Sequence, residues 1–166
     1  MPRAPVGKKT IHHMDLKTLL EVNEQVVALT GESHDYTAAD GRKLSKLVKE
    51  VEKRADNQGY EEAVAEKAAL LVYKVASGQY FHAGNKRTAL VAGATFLSKN
   101  GKTLDLENEE FVSTVDKAGI AAADLDDLYA KIEDLMGKGK AERKSWDRAV
   151  KDVVAKHKDF LTRLAS

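Results

Sequence analysis

The segment with the clearest chemical potential is a glycine-flanked loop that runs into a strongly apolar stretch. It reads Gly78-Gln79-Tyr80-Phe81-His82-Ala83-Gly84-Asn85-Lys86-Arg87-Thr88. If a helix begins at Asn85, its first amide groups have no partners inside the helix and carry the positive end of the helix dipole. Such helix ends bind anions, typically phosphate. Gly84 would let a ligand approach the backbone closely, so the pattern indicates a phosphate site.

Two cations strengthen this interpretation. Lys86 and Arg87 fall in the first turn of the predicted helix, where positive charge is unfavourable. A bound phosphate would stabilise both cations at this position, because arginine engages phosphate oxygens bidentately. In the simpler alternative both are solvated charges and Gly84 is only a loop residue. The segment is not a Walker A loop, because the spacing from Gly78 to Gly84 is one residue too long.

Helices must position this segment, because apolar residues recur at helical spacing along most of the chain. The predicted helices cover residues 15–30, 37–56, 61–76, 85–100, 108–117, 124–136 and 141–164. The helix after the loop is apolar nearly all round, which is typical of a buried central helix. Aromatic residues make up only 6% of the chain, and any β-structure should be a small hairpin. The predicted fold class is therefore all-α.

The composition excludes several classes of function. A chain of 166 residues fits one domain, and its 43% of hydrophobic residues suffices for one core. The absence of cysteine excludes disulfides, thiolate metal sites and cysteine catalysis. A net charge of +1 gives no reason to expect a nucleic-acid partner. No apolar run is long enough for a bilayer and no secretory signal is visible, so we expect no membrane association and a cytoplasmic protein.

The loop segment resembles the signature of the Fic/Doc (Fido) family, and most closely that of its Doc branch. That signature is roughly His-x-Phe-x-Asp-Ala/Gly-Asn-Lys-Arg-Thr-Ala. The residues that match it in register are Phe81, Gly84, Asn85, Lys86, Arg87, Thr88 and Ala89. Further matches to the Doc pattern are Ala65–Leu71, Phe96-Leu97 and Asn100-Gly101. The resemblance covers roughly residues 11–136, where we expect a Fic/Doc-like domain. A flexible tail over residues 1–10 should precede this domain, and a C-terminal helical extension over 137–166 should follow it.

The resemblance implies a Fido-type helical bundle, with the buried central helix after the motif loop and an extra C-terminal helix. It also implies ATP or another nucleotide as cofactor, and transfer of AMP or phosphate to the hydroxyl of a protein target. Because the Doc branch is known for a toxin kinase of elongation factor Tu that an antitoxin inhibits, an antitoxin is an expected partner. The implied nucleotide-binding residues are Phe81, Gly84, Asn85, Lys86 and Arg87.

Two positions depart from the family pattern. Gln79 stands where the family has the histidine that takes a proton from the target hydroxyl, and an amide does not titrate near neutral pH. His82, three residues later, is either a substitute base or a plain loop residue. Ala83 stands where the family has the acid that holds magnesium, and a methyl group offers no oxygen ligand. Magnesium binding is therefore doubtful, and no residue is assigned to a metal.

Three functions stay open at this stage. The first is a Doc-like transferase that binds a nucleotide phosphate with impaired or altered chemistry. The second is a catalytically inactive pseudoenzyme that acts by binding a protein. The third transfers from a donor that needs no magnesium, such as a nucleotide-choline. Thr103-x-x-x-Glu107-Asn108 also matches the family's self-inhibition motif, but it falls where a turn is expected, and we interpret the match as chance.

Overall fold

The computed structural model describes residues 10–164, and within that range the chain folds into eight helices and two very short strands. The elements are α1 (Leu16–Ala28), α2 (Ala38–Lys53), α3 (Tyr60–Gly78), α4 (Asn85–Lys99), β1 (Lys102–Thr103), α5 (Glu109–Gly119), α6 (Leu125–Leu135), β2 (Gly137–Lys138), α7 (Trp146–Lys156) and α8 (Lys158–Arg163). The all-α prediction is confirmed. Most of the predicted flexible tail, residues 1–9, lies outside the described residues.

Helix α4 lies at the centre of the fold, as its nearly uniform apolar character predicts. Almost all of its residues are buried, and α1, α3, α5 and α7 pack around it. Gly93 allows α3 to approach α4 closely, because a Cβ at that position would lie 2.5 Å from Cγ2 of Val72 on α3. The motif loop therefore connects two helices, α3 and α4, that are packed tightly side by side.

Side-chain caps explain where several helices begin. Asp15 accepts a hydrogen bond from the Thr18 amide at 2.8 Å, and Thr37 accepts one from the Asp40 amide at 3.0 Å. Both caps confirm predicted helix starts, and each satisfies an amide that would otherwise lack a partner. Helix α4 differs, because its N-cap is Gly84 and no side chain caps its first turn.

The strands correct one expectation about β-structure. β1 pairs antiparallel with β2, with Lys102 opposite Lys138 and Thr103 opposite Gly137. The pair is not a hairpin, because α5 and α6 lie between its strands in the sequence. The strand pair connects the segment that follows α4 with the segment that precedes α7.

The C-terminal segment corrects another expectation. The prediction is a single helix over residues 141–164, but residues 141–145 are not helical and the rest forms two helices, α7 and α8, with the break at His157. His157 has the non-helical angles φ −109° and ψ 19°, and its Nδ1 lies 2.6 Å from Oε2 of Glu107. This contact anchors the turn. It also gives Glu107 a partner far from the motif loop, which agrees with interpreting the Thr103-x-x-x-Glu107 match as chance.

Helix α7 packs on the rest of the molecule, against α1 and α4. Val150 and Val154 are buried in that contact. Lys99 of α4 donates to the Lys144 carbonyl at 2.6 Å, and its Nζ lies 5.3 Å from the centre of the Trp146 ring. The predicted apolar stripe of the C-terminal segment is therefore a packing surface. None of the helices formed by residues 10–164 is long and apolar enough to cross a membrane.

Candidate functional site

The motif loop is held in shape by a side chain of its own. Helix α3 ends at Gly78, and Gln79 follows with a left-handed backbone, φ 50°. Asn85, the first residue of α4, accepts from the Phe81 amide at 3.0 Å and donates to the Phe81 carbonyl at 2.9 Å. The Asn85 side chain therefore fixes the loop against the start of α4, and its amide group is already engaged.

Gly84 shapes the start of α4. Its φ is +77°, in the left-handed region, and a Cβ there would lie 2.9 Å from Cγ1 of Val27 on α1. Both the dihedral and the close approach favour glycine. With no side-chain cap, the backbone N–H groups of residues 85–87 have no hydrogen-bond partner among residues 10–164. The predicted set of free amides at this helix end is present.

A cavity of about 250 Å³ adjoins this helix end. Its lining comes from the end of α3, the motif loop, the start of α4 and the C-terminal part of α5 with the residue that follows it. The lining residues are Ala76, Gln79, His82, Ala83, Gly84, Asn85, Lys86, Val115, Asp116, Gly119 and Ile120. The cavity thus brings together Gln79, His82, Gly84, Asn85 and Lys86 of the predicted site. Phe81 and Arg87 are not part of its lining.

Arg87 points away from the cavity, into the contact between α4 and α1. Only 1% of its side chain is exposed. Its Nη1 donates to the Val26 carbonyl at 3.1 Å and to Oγ1 of Thr30 at 3.2 Å, and its Nη2 lies 2.5 Å from Oε1 of Glu32. Hydrogen bonds from Thr30 and Arg87 keep the pKa of the Glu32 carboxyl below its usual value. The guanidinium therefore holds the end of α1 and the loop after it against α4.

Lys86 has a different environment. Its Nζ lies 2.5 Å from Oδ1 of Asp116 on α5, and 21% of the lysine side chain and 48% of the aspartate side chain are exposed. Each first-turn cation therefore has a carboxylate partner within the protein. A bound anion is not needed to explain why Lys86 and Arg87 occur at this helix end.

The residue at the family's histidine position makes only local contacts. Nε2 of Gln79 donates to the Ala76 carbonyl at 2.9 Å, and its Oε1 accepts from Nδ2 of Asn85 at 3.4 Å. His82 is exposed, and no hydrogen bond from residues 10–164 reaches its ring. Its backbone N–H donates to the Asp35 carbonyl at 2.8 Å, which ties the loop after α1 to the motif loop. Neither side chain is held as an oriented base.

The donor set does not fit a magnesium ion. Mg²⁺ prefers hard oxygen ligands, usually one or two carboxylates with water and phosphate oxygens. Ala83 offers only a methyl group at the family's acid position, and its carbonyl already accepts from Nδ2 of Asn23 at 2.9 Å. Asp116 is the one carboxylate in the cavity lining, and it is paired with Lys86. Among residues 10–164 no group of three acidic or histidine side chains could hold a metal.

Three residues that support the site are absent from the sequence predictions. Asn23 is buried in α1. Its Nδ2 donates to the Ala83 carbonyl and to Oγ1 of Thr88, and its Oδ1 lies 2.8 Å from Nδ1 of His34. A signal for it exists, because it is a polar residue within the apolar stripe of α1. Glu32 and Asp116 carry no such signal, since each is an ordinary acid in a polar segment.

The comparisons with known proteins place the chain in a family. The model of the Fic/DOC family matches residues 10–97, which is more than half of the chain and includes α1 to α3, the motif loop and most of α4. The chain therefore belongs to the Fic/DOC family, whose members in general bind nucleotides and transfer AMP. Searches of curated proteins and of solved structures returned no match.

Proposed function

We propose that this chain is a Doc-like Fic protein that binds a nucleotide phosphate in the cavity at the start of α4. In this proposal its transfer of AMP or phosphate to a protein hydroxyl is impaired. The observation that carries it is the set of three unpartnered amides at residues 85–87, next to a cavity that also contains the Lys86 side chain. A protein target and an antitoxin partner are further parts of the proposal.

Each motif residue has a role that follows from its contacts. The amides of residues 85–87 donate to phosphate oxygens, and Lys86 adds a flexible point charge. Gly84 keeps the approach to the backbone open, and Asn85 holds the loop closed. Phe81 is buried against the rings of His34 and Tyr36, with centroids 6.2 and 6.0 Å away, so it anchors the loop. Arg87 contributes its backbone amide and positions α4.

The impaired chemistry follows from the side chains that line the same cavity. The amide of Gln79 can hydrogen bond an acceptor hydroxyl but cannot take its proton at neutral pH. His82, three residues after Gln79, lines the same cavity and is the candidate substitute base. The cavity volume of about 250 Å³ lies below the usual size of small-molecule sites, about 300–1,000 Å³. It suits the phosphates, with the nucleoside extending outwards.

Calorimetric titration with ATP tests this proposal. The titration is run once with magnesium and once with a chelator, on the wild type and on Lys86→Met. We expect binding that does not require magnesium and that weakens strongly in Lys86→Met. Lys151→Met is the matched control, since it removes a lysine that is also ion-paired with an aspartate but lies on α7, away from the cavity. Absence of binding, or binding only with magnesium, contradicts the proposal.

The same titration with a nucleotide-choline distinguishes a related donor. A diphosphate that links a nucleoside to an alcohol offers the same oxygens to the amides of residues 85–87, and needs no metal for that contact. In that reaction the protein hydroxyl loses its proton and attacks the alcohol phosphate, the diphosphate bond breaks, and the nucleoside monophosphate leaves. Tighter binding than ATP, combined with this transfer and release of the nucleoside monophosphate, favours this donor. Equal binding without turnover favours a site that only binds.

A second candidate function is binding of a protein across the motif loop. Among residues 10–164, two large hydrophobic side chains are exposed: Ile120, at 77%, and Tyr36, at 38%. Ile120 lines the cavity at α4, and Tyr36 lines a second cavity, of about 460 Å³, that shares Gln79 and His82 with the first. A pseudoenzyme that docks a partner on these side chains accounts for the missing base and metal ligand.

Site-specific photo-crosslinking tests this second function in cells. A crosslinking residue in place of Ile120 should form one discrete protein adduct, because that side chain lies at the cavity mouth. The same residue in place of the exposed Glu109 is the control. No adduct above that control, together with intact nucleotide binding, excludes this second function.

A further inference from the structure

An ion pair lies in the wall of the cavity. Nζ of Lys86 is 2.5 Å from Oδ1 of Asp116, and both residues line the cavity. Asp116 comes from α5, outside the motif loop and outside the segment matched by the family model. Its carboxylate is an anion in contact with the one cationic side chain that the motif presents to the cavity.

We infer that Asp116 competes with the phosphate for Lys86. Its carboxylate pairs with Lys86 when the cavity is empty, and this competition sets how tightly the cavity binds an anion. The inference rests on the proposed function of the same site. It adds the residue that regulates the affinity, and it places that residue on α5.

Exchange of partners is physically feasible for Lys86. Both side chains are partly exposed, so water screens their attraction, and an ion pair of this kind contributes little to stability. The lysine ammonium is a compact charge on a flexible stem, and it can leave a carboxylate for a phosphate without moving the backbone. While Asp116 stays charged, it also repels an anion that enters the same small cavity.

The adjacent cation cannot act in this way. Arg87 is buried, and its guanidinium donates hydrogen bonds to Val26, Thr30 and Glu32. A ligand could replace Glu32 as its partner only by breaking the contact of α4 with α1. The described cavity lining contains one lysine, Lys86, and one carboxylate, Asp116. Removing the carboxylate alone therefore converts a neutral cavity wall into a positive one.

The test compares ADP binding by the wild type and by Asp116→Asn, measured by calorimetry in the presence of a chelator. We expect Asp116→Asn to bind about three- to tenfold more tightly, because one competing and repelling charge is gone. Glu109→Gln, which removes another acid of α5 at its exposed N-terminus, should bind like the wild type. The double variant Lys86→Met/Asp116→Asn should show no gain. Thermal unfolding of each variant checks that it is folded.

The outcomes separate this inference from the function on which it rests. If the wild type binds ADP and Asp116→Asn binds no more tightly, the inference is wrong and the proposed function stands. If only Asp116→Asn binds, Asp116 dominates the site and the inference is supported. If neither protein binds, both fail. In the wild type, the ¹³C shift of the Asp116 carboxyl should move on ADP addition as the pair opens, and a constant shift at saturation contradicts the inference.

Discussion

Lys86 and Arg87 are neighbours in the sequence, yet they lie on two sides of α4 that have different properties. Successive residues of a helix point about 100° apart. One cation therefore faces the cavity lined by α3 and α5, which we call the cavity side, and the other faces α1, which we call the core side. On the cavity side Lys86 is 21% exposed and pairs with the half-exposed Asp116, whereas on the core side Arg87 is only 1% exposed and has three partners, Val26, Thr30 and Glu32.

The difference shows that residues of one motif can have two different roles, packing of the helices and contact with a ligand. Both cations match the family signature, and from the sequence both were assigned to the phosphate. In the structure the core side holds α4 against α1, whereas the cavity side faces the cavity that we propose as the binding site. A motif match therefore identifies the segment, and the local packing decides which of its side chains can meet a ligand.

The largest expected difference between the two sides is in stability. Arg87→Met should lower the free energy of unfolding by about 3 kcal/mol, because it removes a buried guanidinium together with its hydrogen bonds to Val26, Thr30 and Glu32. Lys86→Met should lower it by less than about 1 kcal/mol, since that pair is partly exposed. Urea denaturation measures both. Equal losses in the two variants would remove the distinction between the sides.

Gly84→Ala should destabilise the start of α4 by about 2 kcal/mol. The substitution places a Cβ at φ +77° and 2.9 Å from Val27, so it combines backbone strain with a clash. Gly31→Ala is the control, because its φ of +70° is similar but no atom lies within 4 Å of the added Cβ. That variant should lose about 1 kcal/mol in the same measurement. Similar losses at both positions would mean that the contact with α1 adds nothing.

Restoring the missing acid should change the cavity side alone. Ala83→Asp supplies a carboxylate next to the amides of α4, and we expect ATP binding to become about tenfold tighter with magnesium than with a chelator. The neutral variant Ala83→Asn should show no such magnesium dependence. Calorimetry measures the ratio for each. An unchanged ratio in Ala83→Asp would mean that the cavity cannot hold the metal even with the acid present.

The last expected effects concern the pH dependence of stability, beginning with the core side. The pKa of Glu32 is lowered by hydrogen bonds from Thr30 and Arg87, so its contribution is present above its unfolded pKa of about 4.5 and is lost as the pH falls through the folded value. Glu32→Gln should therefore be less sensitive to acid than the wild type. Thermal unfolding at a series of pH values measures this.

Glu21 provides a comparison of opposite sign at the contact of α1 with α7. Burial, and then a hydrogen bond with Asp147, raise its pKa to about 7. Its contribution to stability is complete below about pH 4.5 and is lost as the pH rises through about 7. Glu21→Gln should abolish that loss and leave the acid sensitivity from Glu32 in place. If stability changed with pH in the same way in Glu21→Gln and in Glu32→Gln, the pKa directions assigned to Glu21 and Glu32 would both be contradicted.

Local sequence signals predicted most of the fold. Caps such as Asp15 and Thr37 and the apolar pattern of α4 depend on residues close in the sequence, and the structure confirms them. The break at His157 was missed, since its partner Glu107 lies 50 residues earlier. The ion pair in the cavity wall was not predictable for the same reason, because Asp116, the partner of Lys86, belongs to α5 and no nearby residue pattern indicates the contact.

The sequence also could not show which motif side chains are already engaged. Glu32 lies 55 residues from Arg87, and only the packing of α1 on α4 brings them together. The amides at the start of α4 were predictable, because a helix that begins after a glycine has no side-chain cap in its first turn. The direction of each cation depends on where Asn85 starts the helix.

The most direct test of the account is an amide NMR titration of the ¹⁵N-labelled protein with ATP in the presence of a chelator. The account predicts saturable shifts for the amides of residues 85–87 and for Gly119 and Ile120 on the cavity side. The Nε–H signal of Arg87 and the amide of Glu32, on the core side, should stay in place. Shifts of the Arg87 and Glu32 signals, or no shift on the cavity side, would contradict the assignment of the phosphate to that side.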